Sequence, residues 1–255
     1  MANTLNLGTN GNWATKKDSL LAYNSENGNF KPLPFDFDRA SSATRVNKDG
    51  LIETVGSGEP RIDFSNDSKG ALKLEPSRTN LITYSEDFTQ WSKNSGGIVV
   101  TDNTTDVISP SGSTNASKVD FGSSNRIIFQ SPTLSGVYSG SVYVKGIAGE
   151  TIRFSVGAVE ENFTLTGGWD RILKENITAS ANTFNLNTYG GVTARTIYVW
   201  GAQLEQGSYA TSYIPTQGGS VTRVADVCNN GANDQVINST EGVLYVETSA
   251  LSNDL

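Results

Sequence analysis

A pyranose is gripped by two kinds of group: flat aromatic faces that cover its apolar C–H side, and amides or carboxylates that meet its hydroxyls. Trp91, Trp169, Tyr189 and Tyr209 are the aromatic residues whose surroundings suit the first role. Trp169 stands in the loop-like run Thr166-Gly-Gly-Trp-Asp170, and Tyr189 precedes Gly190-Gly191; for both, exposed stacking and core packing are open readings. Trp200 ends the alternating run Ile197-Tyr-Val-Trp200 and enters a Gly-Ala turn, which marks it as packing.

The carboxylates offer less. Glu86-Asp87 and Glu160-Glu161 are adjacent pairs, and neighbours on extended backbone point to opposite faces, so neither pair has the opposed geometry a glycosidase needs. Asp102, Asn103 and Asp106 form an oxygen-rich loop that would suit calcium, without the spacing of an established calcium loop; no other cofactor is expected. The sequence has no histidine, which removes the commonest general base and excludes histidine triads and histidine zinc sites. Cys228 is alone, so no intrachain disulfide forms and the thiol reads as incidental. With 19 Lys plus Arg against 26 Asp plus Glu, the net charge of −7 argues against nucleic acid. No apolar run approaches the roughly 20 residues that cross a bilayer, and the first residues do not read as a secretory signal, so a chain made in the cytoplasm is expected.

Short alternating segments separated by Gly, Ser, Asn and Asp must hold these side chains, the pattern of an antiparallel sandwich. Thr151 to Gly157 sets Ile152, Phe154 and Val156 on one side and Arg153 and Ser155 on the other. Strands are expected at 97–101, 116–121, 126–130, 140–145, 151–157, 161–165, 170–173, 183–186 and 196–200, an all-β jelly roll over 80–216. One helix-like stretch, Tyr84 to Trp91, has room for a single turn capped by Ser85-Glu-Asp. Residues 36–79 read as a connector of two β-hairpins, the first turning at Asn47-Lys-Asp-Gly50. Residues 1–35 show no sustained period and read as an extended arm, with Leu5, Leu7, Trp13, Leu20, Leu21 and Tyr23 available to anchor it on a partner. Lys31-Pro-Leu-Pro34 reads as a stiff linker at its end. Ser220-Val-Thr-Arg-Val224 echoes Ser42-Ala-Thr-Arg-Val46, by chance or by a shared edge pairing. Residues 217–255 read as a linker and, at Gly242 to Glu247, the first strand of a further β domain.

Three phrases are specific. Arg39-Ala-Ser-Ser-Ala-Thr-Arg-Val-Asn-Lys-Asp-Gly-Leu-Ile-Glu53, Asn80-Leu-Ile-Thr-Tyr-Ser-Glu-Asp-Phe88 with Trp91, and Trp200-Gly-Ala-Gln-Leu-Glu-Gln-Gly-Ser-Tyr-Ala-Thr-Ser-Tyr-Ile-Pro-Thr216 followed by Val221 to Asp226, closely resemble a family of bacteriophage virion proteins. These are head-fibre or tail-fibre proteins with a carbohydrate-binding-module-like jelly roll, often followed by a concanavalin-like lectin domain. The resemblance implies a non-enzymatic structural protein of a tailed phage, assembled in the host cytoplasm into the virion, and a homotrimer. Its expected partners are capsid or tail proteins through residues 1–35, and cell-surface glycans. A short arm followed at once by globular modules favours a head fibre; a tail fibre or receptor-binding protein, and a tailspike glycosidase, are the alternatives. No glycan-binding residue transfers from the family by motif.

Overall fold

The computed structural model describes the backbone of residues 5–6, 8, 11–24, 29–230, 243 and 245–250, and the side chains of these except 5–6, 21–24 and 29–34. The described chain divides into two compact units, 5–77 with 223–250, and 78–222. In order, the strands of the first unit are β1 (Leu5–Asn6), β2 (Ala14–Lys16), β3 (Ser19–Asn24), β4 (Asn29–Asp38), β5 (Ala43–Val46), β6 (Ile52–Val55), β7 (Ile62–Asp63) and β8 (Ala71–Leu72). The chain continues through β9 (Arg78–Asn80), β10 (Ser92–Lys93), β11 (Val99–Thr101), β12 (Ser117–Asp120), β13 (Ile127–Gln130), β14 (Val137–Lys145), β15 (Thr151–Val156) and β16 (Val159–Thr164). Then come β17 (Asp170–Thr178), β18 (Phe184–Asn187), β19 (Thr196–Gln206), β20 (Val221–Arg223) and β21 (Val227–Asn229), the last returning to the first unit.

In the first unit, the expected arm and connector are one body. A sheet runs β1-β3-β4-β21, with β2 on β3. The period is hard to read in sequence because the β3–β4 register shifts between Ser19 and Leu21, which breaks the alternation. Pro32 and Pro34, expected in a linker, lie in β4. Among the described residues β21 pairs Asp36–Asp38 of β4 and does not reach the prolines, which suits residues that lack an N–H. The reading of a free extended arm is corrected accordingly. Leu20 is buried, and the Trp13 indole N–H donates to the carbonyls of Lys69 and Gly70, both at 3.0 Å, so these two side chains pack on their own unit. Leu7 lies outside the described residues, as do the side chains of Leu5, Leu21 and Tyr23, whose backbones sit in β1 and β3.

Both expected hairpins are present, β5–β6 around the Asn47–Gly50 turn and β7–β8. They enclose a buried ionic network. Arg39 Nη1 meets Asp226 Oδ1 at 2.9 Å; Arg61 pairs with both Asp226 and Glu75; Arg223 Nη1 meets Glu75 Oε2 at 2.8 Å. Arg223 to Asp226, expected in a linker, therefore belong to this core. The echo of Thr44-Arg45-Val46 in Thr222-Arg223-Val224 has no structural counterpart: Arg45 is half-exposed on Glu53, whereas Arg223 is buried. Cys228 lies in β21, its thiol pushed up by burial and by the charge of Asp36. Of the strand expected at 242–247, Gly242 and Leu244 lie outside the described residues; Val243 and 245–247 carry no strand assignment, and Val243 is 95% exposed.

The second unit is a β-sandwich of two antiparallel five-stranded sheets, β10-β13-β18-β15-β16 and β11-β12-β19-β14-β17. Every strand expected between 97 and 200 is found, along with short β10. The alternation decides the core: Ile152, Phe154, Val156, Phe184, Leu186 and Ile128 from one sheet meet Val142, Val144, Ile197, Val199 and Leu204 from the other. The helix-like stretch is a single 3-10 turn, Phe88–Gln90, whose first turn is capped by the Asp87 carboxylate accepting from Thr89 N. Among the described residues no helix is long and apolar enough to cross a membrane.

Candidate functional site

The two aromatic-rich phrases of the second unit fold against each other. On β19 an extra residue opposes β14 where the pairing steps from Ser141↔Gln203 to Tyr143↔Trp200, a bulge formed around Gly201 at φ +63. The bulge flips the alternation, so Ile197 and Val199 before it and Ala202 and Leu204 after it all face the core. Trp200, Gln203 and Glu205 then turn to the outer side, where the segment 207–216 covers them. Gln203 Oε1 accepts from Ile214 N at 2.6 Å, and Glu205 accepts from both Thr211 N and Thr211 Oγ1. The Asn80 amide ties in the other phrase, donating to the carbonyls of Ala202 and Ile214 and accepting from Ile82 N and Leu204 N. Trp200 packs on Tyr213 at 4.6 Å, as packing and not recognition.

Trp91 is thereby corrected. It is 3% exposed, stacked on Phe88 at 4.5 Å and edge-on to Phe184, with its N–H donating to the Tyr84 carbonyl, so no ring face is open to a sugar. Tyr209 is half-buried, and the Arg78 guanidinium lies 5.1 Å from its ring centroid. Glu86 accepts from Tyr213 Oη and Asn115 Nδ2, both at 2.8 Å, while the Trp200 N–H faces it without reaching hydrogen-bond geometry. Burial holds the Glu86 carboxyl above its ordinary range against these donors, and burial with the neighbouring Glu86 charge drives the Tyr213 phenol well up.

The proposed calcium ligands do not converge. Asp102 accepts from Ser117 Oγ at 2.8 Å and Asn103 Nδ2 at 2.7 Å, whereas Asp106 is taken by Lys118 Nζ at 2.8 Å and Tyr198 Oη at 3.1 Å. The Lys118 hydrogen bond is the main reason the Asp106 carboxyl lies below its ordinary range. Among the described residues no group of three or more acidic or cysteine side chains is placed to hold a metal. Glu160 and Glu161 diverge as alternation requires, the first to Arg153 and the second to Lys174, both through ion pairs.

Tyr189 stands at the edge of a polar array on the outer face of the first sheet. Since Ile128, Ile152, Phe154, Leu186 and Phe184 face the core, register sets two outward rows: Asn162, Arg153, Asn187 and Ile127; and Glu160, Ser155, Asn185 and Phe129. Arg153 donates to Asn162 Oδ1 and Glu160 Oε2, both at 2.8 Å, and Asn187 Nδ2 donates to Asn185 Oδ1 at 2.8 Å. The loop after Tyr189 closes onto Arg153: Gly190 takes φ +68, which favours glycine, and a Cβ there would lie 1.9 Å from Nη2 and displace the guanidinium. Tyr189 itself is 37% exposed, its hydroxyl accepting from Asn94 Nδ2 at 3.1 Å. Sequence reasoning found Tyr189 but missed the rows, because they become one surface only when β13, β15, β16 and β18 pair. Trp169, on the other sheet, is half-exposed with its N–H donating to Ile108 O at 2.7 Å.

No protein-family model and no curated protein sequence matches the chain. Among solved structures it is similar to the CBM22-1–GH10 modules of the Clostridium thermocellum N-terminal endo-1,4-beta-D-xylanase 10B, complexed with xylohexaose. The TM-score is 0.35 at 15% identity, over 55% of this chain and 30% of that chain. A likeness of this size carries no argument about ligand or activity.

Proposed function

We propose that the chain is a structural component of a tailed-bacteriophage particle, a head fibre whose first unit attaches it and whose sandwich binds glycans at the host or particle surface. The phrases Arg39 to Glu53, Asn80 to Phe88 and Trp200 to Thr216 support the virion half of this reading by their resemblance to fibre proteins. The separation into two compact units supports a division between attachment and display. Attachment then belongs to the whole first unit rather than to a free arm, because Trp13 and Leu20 are already packed within it.

The glycan half is carried by one observation: an exposed aromatic ring, Tyr189, on the same sheet face as the exposed Asn162 amide and Glu160 carboxylate and the half-buried Arg153 guanidinium, while Asn185, Asn187 and Ser155 are buried beneath them. Sugar recognition uses that combination. Glu160 Oε1 and Asn162 Nδ2 have no hydrogen-bond partner among the described residues and are available to hydroxyls. Binding without turnover is the better reading, since Glu86, Glu160 and Glu161 are each held by their own partners and hydrolysis needs two carboxylates facing one sugar.

A glycan array probed with the purified chain tests this. A specific signal lost in Tyr189→Ala and in Arg153→Ala, with circular dichroism unchanged, is expected; no signal on any glycan would end the glycan half. For the virion half, phage carrying a deletion of residues 1–77 should lose the protein from purified particles, and continued incorporation would remove the attachment role from the first unit.

A further inference from the structure

The outer face of the second sheet carries a row of side chains that the Tyr189 surface does not include. Register sets it: Lys145 lies across from Tyr198, and Tyr198 across from Lys118. Val144 pairs with Asp170 at the end of the β14–β17 ladder, so Trp169, the loop residue just before Asp170, adjoins Lys145, the residue just after Val144. The same two loops meet again beyond it, where a Cβ on Gly167 would lie 3.3 Å from that of Ala148. Val144, Ile197, Val199 and Val119 are core residues, so alternation turns Lys145, Tyr198 and Lys118 outward. Paired strands lie about 4.8 Å apart, which spaces Trp169 and Tyr198 about 10 Å from each other with Lys145 between them.

Two side chains of the row are fixed on the loop that carries Asp106 and Ile108. The Trp169 N–H is fixed on Ile108 O, and Tyr198 Oη donates to Asp106. Lys118 Nζ pairs with Asp106 at 2.8 Å and lies 5.8 Å from the Tyr198 ring centroid. Asp106 is thus committed to Lys118. Lys145, half-exposed, has no carboxylate partner among the described residues.

We propose that this row is a second saccharide site, selective for a pyranose that bears a carboxylate. The Trp169 ring covers the C–H face of the sugar, the Lys145 ammonium pairs with its carboxylate, and the Asp106–Lys118 pair meets its hydroxyls. The site rests on the reading of the sandwich as glycan-binding, yet shares no residue with the surface around Tyr189. Charge complementarity selects the ligand class locally: although the chain is acidic overall, this face presents an ammonium with no carboxylate partner among the described residues, between two aromatic rings.

Calorimetric titration of the full chain with tetragalacturonate and with its carboxyl-reduced tetrasaccharide tests the proposal. Tetragalacturonate should bind at least about tenfold more tightly, the weight of one charge-assisted contact. Lys145→Gln and Trp169→Ala should each weaken it by about tenfold or more, while Tyr189→Ala leaves it unchanged. Raising the ionic strength from about 0.01 to 1 M should also weaken it, as the Debye length falls from about 30 to 3 Å. Equal affinity for the two probes overturns the proposal, as does loss of binding in Tyr189→Ala with retention in Lys145→Gln. No binding of tetragalacturonate overturns it too, and leaves the Tyr189 surface to stand on its own array result. Lys145→Gln removes the charge and one carbon of the stem at a half-exposed position, so its folding does not depend on the outcome for Trp169→Ala.

Discussion

Arg39 and Asp226, 187 residues apart in sequence, meet at 2.9 Å as an ion pair with both side chains fully buried. Asp226 also receives Arg61 and accepts from the Glu75 backbone N–H, so one carboxylate closes the first unit around two guanidinium groups. Removing it leaves both arginines buried with less counter-charge, and breaking such a pair costs about 3–5 kcal/mol. Asp226→Ala is therefore expected to strip amide hydrogen-exchange protection from residues 39–75 and 223–229 while residues 78–222 keep theirs. Unchanged protection across the first unit would show that the network is not what holds it.

Gly201 is the second point of control. It sits at φ +63, and a Cβ there would lie 3.1 Å from the Tyr143 ring. Strain at such a position runs to about 1–3 kcal/mol, so Gly201→Ala should lower the unfolding free energy of the sandwich by that amount, read as a lower urea midpoint at unchanged slope. Gly219→Ala is the control: nothing lies within 4 Å of its Cβ position, and the change should stay within about 0.5 kcal/mol. Equal midpoints for the two variants would contradict the role given to the bulge.

Trp91 and Trp169 should separate cleanly. Trp91→Ala empties a buried aromatic site and is expected to cost about 3–5 kcal/mol by equilibrium unfolding. Trp169→Ala, at a half-exposed loop position, should cost no more than about 1 kcal/mol. The reverse order would mean that the sandwich core has been wrongly drawn.

Glu86 gives a pH test. Burial, with a smaller push from Asp102, raises its carboxyl above the ordinary value of 4.5 in the folded state. The folded protein then keeps this proton to higher pH than the unfolded chain does. Its contribution to stability is present below 4.5 and is lost as pH rises through the raised folded value. The stability of the parent minus that of Glu86→Gln should therefore fall with rising pH in a window just above 4.5 and be flat on either side. A difference that rises with pH would reverse the sign of the shift.

A trimer is proposed on the resemblance of the three phrases to fibre proteins. Light scattering of the full chain should give about three times the 27.2 kDa of one copy, in keeping with the closed symmetry of most assemblies. A monomeric mass would remove the trimer from the reading.

What the sequence by itself determined is local. Period-two alternation in Thr151 to Val156 and Ile197 to Val199 names the core side of each strand, because adjacent side chains on extended backbone have no choice but to oppose each other. The Asn47–Gly50 turn and the Asp87 cap are equally local, set by side chains reaching their own neighbours. Tertiary structure decided the rest. The sheet of β2, β3 and β4 is completed by β21 on β4 and by the packing of Trp13 on the hairpin carrying Lys69, contacts made between residues far apart in sequence. Trp91 went into the core and Trp169 stayed at the surface although both are tryptophans beside polar residues. Asp226 found Arg39 and Arg61, and Trp169, Lys145 and Tyr198 came into one row, only once separate strands were in register; pairing between distant segments is a property of the whole chain's packing and leaves no period in any one stretch.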